Sequence, residues 1–97
     1  MALLSYTVTL GAAATQVTST ETYASFVRIE NEAGNALVKF GDSSVSAADY
    51  AGSVPADTAT ASNAVTLGPV TFTGIPLNSL YLLGTAGQRV HVAAVAP

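Results

Sequence analysis

Apolar and polar residues alternate with a period of two in short runs, and glycine, proline, asparagine or aspartate interrupts each run before it lengthens. Leu4, Tyr6, Val8 and Leu10 alternate with Ser5, Thr7 and Thr9. Successive side chains of a strand point to opposite faces, so this spacing puts one apolar face against a hydroxyl face. Gly11 and the alanines after it break the run, and the Thr/Ser-rich stretch 15–22 reads as a short edge strand or an extended loop. Val27 and Ile29 point one way and Arg28 and Glu30 the other. The turn 31–35 then leads to Ala36–Phe40, which predicts a β-hairpin. Gly41–Ser44 is a second turn. From 45 to 63 the alternation is lost, which predicts an irregular loop. Ala47–Tyr50 in it suits one helical turn that Gly52 and Pro55 stop from growing. Strands resume at Ala64–Leu67 and Val70–Thr73, on either side of Gly68-Pro69. After a turn at 74–78 come the strand Leu80–Leu83, a tight connection at 84–87 and a last strand, Gln88–Val95. In that strand Val90, Val92 and Ala94 face inward and Arg89 and His91 outward. No stretch carries a helical period. The expectation is one all-β domain over residues 1–97, a small β-sandwich or jelly-roll-like barrel of about six to eight short antiparallel strands with one long loop.

Charge is what this chain lacks. Charged residues make up 9% of its 97 residues, against roughly 25% in ordinary soluble domains. Three basic residues against six acidic ones leave a net charge of −3. So few cations neutralise few phosphates, which argues against nucleic acid and against an anionic membrane surface as partners. The absence of cysteine removes disulfides, thiolate metal sites and thiol nucleophiles. No apolar run approaches the roughly 18 residues of a membrane helix. Residues 1–14 have neither the basic start nor the continuous apolar middle of a signal peptide, so they read as a strand or N-terminal arm.

The outward positions of the alternating runs are mostly Thr, Ser and Ala. Charged side chains normally keep such a surface apart from its neighbours and protect strand edges from unwanted pairing. Small neutral side chains suit tight, water-excluding contacts between subunits. The composition therefore points to a chain that works inside a symmetric assembly of itself.

A series of motifs in a fixed order adds to this. Val27-x-Ile29-x-Asn31 is followed by Gly34-Asn35, Val38 and Gly41-Asp42-Ser43-x-Val45-Ser46. Then come Leu67-Gly68-Pro69, Leu77-Asn78-Ser79-Leu80-Tyr81, Gly84, Gly87 and Val90-x-Val92. This order resembles that of small β-rich accessory virion proteins of tailed bacteriophages, of the capsid decoration or cement type. The likeness runs from Val27 to Val92 and departs from the family at Gly68-Pro69, where the family's turn has the proline first. It implies a β-sandwich or jelly roll that decorates and stabilises a capsid as a homo-oligomer, a trimer, with the major capsid protein as partner. The acidic balance favours the outer capsid surface over an interior that faces packaged DNA. A neck, tail or fibre component of the same fold is an alternative. A carbohydrate-binding β-sandwich module is another, and would need aromatic platforms on one face.

Individual residues point to no catalytic, cofactor or metal site. His91 is the single histidine, and histidine is the usual acid–base residue near neutral pH. No Gly-x-Ser-x-Gly elbow accompanies it, and catalysis needs a partner nucleophile and an orienting acid. Asp42, Asp49 and Asp57 lack the spacing of a calcium loop, and Asp42 reads as the cap of its own turn. Glu30 and Glu32 read as one solvated face, with Lys39 opposite on the paired strand. No glycine-rich phosphate cradle occurs. The residues expected at an interface are Leu3, Leu4 and Tyr6, as an arm adding a strand to a neighbour or as an ordinary strand of the same subunit, together with Tyr50 and Tyr81.

Overall fold

Both sides of the central strands are occupied by other strands, and the chain reaches that arrangement by crossing repeatedly between two sheets. A computed structural model describes residues 2–56, 63–70 and 74–96. The strands are β1 (Ala2–Thr9), β2 (Thr15–Gln16), β3 (Tyr23–Ala24), β4 (Phe26–Asn31), β5 (Val38–Gly41), β6 (Gly52–Val54), β7 (Asn63–Leu67), β8 (Ile75–Pro76), β9 (Tyr81–Leu83) and β10 (Arg89–Ala96). One short 3-10 turn, Leu77–Ser79, joins β8 to β9, and no α-helix occurs among the described residues. The first sheet has the order β1-β10-β4-β7, the second β2-β9-β5-β6, and β3 and β8 form a small third one. All pairs are antiparallel, and the sheets are not closed. The all-β expectation therefore holds, with more and shorter strands than the alternation alone marked out.

The period-two reading fixes the inner faces of β1, β4 and β10 correctly. Val8, Val27, Ile29, Val90, Val92 and Ala94 of the first sheet meet Val38, Phe40, Val54 and Leu82 of the second in one core. Val17, Leu77 and Leu80 extend this core, and Leu4, Tyr6, Val65 and Leu67 pack at its margin. Full burial of such an aliphatic side chain contributes about 1.5–3 kcal/mol. The core has few large side chains: apart from Phe40, its largest buried members are Ile, Leu and Val, and Asn31 is the only buried polar residue among those described.

The hairpin expected between 26–30 and 36–40 does not form. The turn itself does: Asn35 N donates to Glu32 O at 3.1 Å, and Gly34 has φ +87, where a side chain would be strained. Yet β4 pairs with β10 and β7, while β5 pairs with β6 and β9. A hairpin would set Val27 and Ile29 beside Val38 and Phe40 on one face of one sheet. Here the two sets approach each other across the core from opposite sheets, which buries both. Asn31 holds the crossover. Its Nδ2 donates to Ala36 O at 2.9 Å and to Pro55 O at 3.2 Å, tying β4 to the chain before β5 and after β6. It follows that Lys39 does not face Glu30. Lys39 lies on the second sheet, and Glu30 is opposite His91 and Ala64 and pairs with Arg28 on its own strand.

The loop expected over 45–63 is interrupted by β6, among the described residues the one strand that pairs with its immediate predecessor. Phe40 opposes Gly52, and a Cβ on Gly52 would stand 2.5 Å from Phe40 Cζ. The tip of the Phe40 ring thus occupies the space that a side chain at 52 would take. Ala47 and Ala48 are bends, and no helical turn forms at Ala47–Tyr50. The 74–78 turn contains β8 and most of the 3-10 turn. Of the strand expected at Val70–Thr73, Val70 lies outside any strand, and 71–73 fall outside the described residues, as do 57–62.

Removing the Asn31 side chain tests the crossover. The variant Asn31→Ala leaves Pro55 O without this donor, and the expected loss is roughly 1–3 kcal/mol, read as a lower urea midpoint with an unchanged slope.

Candidate functional site

The strand register gives the makeup of the outer face of the first sheet. Leu3, Val95 and Phe26 form one row across β1, β10 and β4, and Ser5, Ala93, Arg28 and Thr66 the next. Thr7, His91, Glu30 and Ala64 form the third, and Thr9 and Arg89 begin the fourth. The face thus runs from an apolar end to a polar end. Leu3 is 79% exposed. Leu4 and Tyr6 point the other way and pack on the margin of the core. β1 pairs with β10 of its own chain along its full length, Ala2 opposite Ala96 and Thr9 opposite Arg89.

At the polar end a chain of contacts joins three distant parts of the sequence. His91 Nε2 lies 2.5 Å from Glu32 Oε2, and Thr7 Oγ1 lies 3.3 Å from His91 Nδ1. If Nε2–H donates to the carboxylate, Nδ1 is left to accept from the hydroxyl. Arg89 Nε approaches Glu32 Oε2 at 3.2 Å. The hydrogen bond from His91 above all holds the Glu32 carboxyl below the usual glutamate range; desolvation opposes it, and the nearby Arg89 charge adds a smaller lowering effect. Hydroxyl, imidazole and carboxylate stand in the order used by hydrolytic triads. Thr7 is exposed, however, so the hydroxyl lacks the water-excluding surroundings in which developing charge is strongly stabilised. What the arrangement does is pin the 32–35 turn to β10. The sequence offered no sign of it, because Thr7, Glu32 and His91 meet only through the register of β1, β10 and β4.

The second surface lies at the β5–β6 connection. Gly41, Asp42, Val45, Asp49, Tyr50 and Ala51 line a cavity of about 180 Å3. Asp42 Oδ1 accepts from Ser44 N at 2.9 Å and Ser44 Oγ at 2.6 Å, and the hydroxyl above all holds the Asp42 carboxyl below its usual range. Asp42 thus caps its turn as expected. Lys39 Nζ donates to Ala47 O at 2.6 Å and sits 4.6 Å from the centre of the Tyr50 ring, a cation–π distance. Tyr50 is 46% exposed. Tyr81 is half-buried on β9, between Gly41 and Gln16 on the flanking strands. The five candidate interface residues therefore divide: Leu3 on the outer face of the first sheet, Leu4 and Tyr6 turned inward, Tyr50 and Tyr81 at the second sheet. Asp57 lies outside the described residues. Among the described residues no three His, Asp or Glu side chains come together as a metal site would require.

No protein-family model, no curated protein and no solved structure matches this chain.

Glu32 makes stability depend on pH in a defined sense. Its carboxyl is lowered in the folded state, so its contribution is present above the unfolded glutamate value and lost as pH falls through the folded one. The variant Glu32→Gln is therefore expected to melt below wild type at neutral pH and to converge with it in acid. Melting curves at pH 7 and near pH 3 check this; a constant difference contradicts it.

Proposed function

We propose that this chain is a non-enzymatic structural protein of a tailed-bacteriophage virion, decorating and stabilising the outer capsid surface as a symmetric homo-oligomer. The order of motifs from Val27 to Val92 supports the virion, and the resemblance implies a trimer with the major capsid protein as partner. In this reading the two four-stranded sheets are the layers of a small β-sandwich with jelly-roll-like crossovers.

One observation carries the reading: the exposed strand faces are nearly free of unengaged charge. All three basic side chains have partners. Arg28 pairs with Glu30, Arg89 with Glu32, and Lys39 with Ala47 O and the Tyr50 ring. Around them the outward positions are Ser5, Thr7, Thr9, Ala64 and Thr66. Small hydroxyl and methyl groups pack closely against another protein, and no free cation is left to grip phosphates. Contacts of this kind depend on shape and burial far more than on ionic attraction.

Two readouts on one particle preparation test the proposal. Particles stripped of the protein should rupture at a lower temperature than decorated ones, with a copy number that matches the capsid lattice. Attachment should survive about 1 M salt, where the screening length falls to about 3 Å. Equal rupture temperatures contradict stabilisation. Release by salt contradicts the uncharged contact, and a copy number fitting only a single ring moves the protein to the neck or tail.

A further inference from the structure

We propose that the outer edge of β1 is a self-recognition strand, which pairs antiparallel with β1 of a second copy about a two-fold axis and joins two first sheets into one. The proposal rests on the homo-oligomer reading and names its contact, and it does not require a virion.

The direction of the β1 amides follows from hydrogen bonds at its end. Leu10 N donates to Gln88 O, and Leu10 O accepts from Gly87 N, both at 2.8 Å. Leu10 thus turns both backbone groups toward the β10 side. Because these groups alternate sides along an antiparallel strand, Leu4, Tyr6 and Val8 also face β10. Leu3, Ser5, Thr7 and Thr9 face away, and among the described residues no strand lies there. Their side chains are exposed as well.

Proteins usually blunt such an edge by keeping it short, by a bulge, by proline or by charge. β1 has none of these. It is eight residues long, longer than the mean strand of about 5–6. It pairs with β10 without a break in register, and it contains no proline and no Asp, Glu, Lys or Arg. The other edge of the same sheet is weaker. Ser25 N donates to Val95 O, so the odd residues of β10 face β4. Alternation then turns Val27, Ile29 and Asn31 toward β7 and leaves only Ala64 and Thr66 of β7 facing out.

The occupant best matched to this edge is its own copy. An antiparallel strand is self-complementary: a two-fold axis sets each outward N–H against an outward C=O. The first carboxylate in the sequence is Glu21, so two β1 edges meet without opposed acidic side chains although the chain is acidic overall. Antiparallel pairing also lays the exposed Leu3 beside the hydroxyl residues at the far end of the partner strand. A pair is the smallest closed assembly this contact makes. In a trimer built on other contacts, the same edge would join one trimer to the next.

Native mass spectrometry of the full chain, beside Ser5→Lys and Ser5→Pro, decides the matter. Ser5 is exposed and its N–H points outward, so either change blunts the edge without removing a β1–β10 hydrogen bond. Circular dichroism verifies the fold, and should the proline variant unfold, the lysine variant decides. The expected result is an even number of subunits in wild type, halved in the folded variants. An odd number, or an even number that neither folded variant changes, overturns the β1 contact and leaves the homo-oligomer reading standing. A monomer at every concentration overturns both.

Discussion

The apolar layer between the two four-stranded sheets is thin, and the rest of the molecule is arranged to keep it closed. Its buried members among the described residues are mostly Val, Leu, Ile and Ala, with Phe40 the one aromatic ring. A domain of this size retains only about 5–15 kcal/mol after the entropy of ordering the chain is subtracted. Small side chains leave little reserve, so wherever the chain crosses from one sheet to the other both inner faces must stay covered. The 32–37 crossover shows how this is done. Asn31 is fully buried, and its two donated hydrogen bonds hold segments on either side of the second sheet's β5–β6 pair. Its own Oδ1 has no hydrogen-bond partner among the described residues.

A thin core also gives the outer surface its meaning. Threonine, serine and alanine on exposed strand faces contribute little by themselves in water, and they do not repel a neighbour. Covering them with a second subunit adds buried apolar area that the isolated chain cannot provide. The unprotected β1 edge and the engaged state of every basic side chain fit the same picture. On the proposed reading, association supplies the stability that the interior lacks.

Period-two alternation was enough to assign the inner faces of β1, β4 and β10, since side-chain direction is a local property of an extended chain. Pairing is not local. Two alternating runs on either side of a good turn look like a hairpin whether they share a sheet or face each other across a core. At 26–40 the second outcome won because it buries Val27, Ile29, Val38 and Phe40 together. β6 was hidden for a different reason: Gly52-Ser53-Val54 is too short to show a period, and its glycine reads as a loop until Phe40 is seen lying over it. Of the candidate surface, Leu3 and Tyr50 were legible as large side chains in neutral or irregular settings. The Thr7–His91–Glu32 contacts were not, since they depend on the register of strands far apart in sequence.

If neighbouring copies cover the outer faces, folding and association are coupled, and mass action makes the melting temperature depend on concentration. Thermal unfolding of the purified chain across a roughly hundredfold range of concentration is the direct measurement. A rise of several degrees toward high concentration is the expected result. A melting temperature that stays constant over the whole range would mean that water alone is the natural neighbour of these faces.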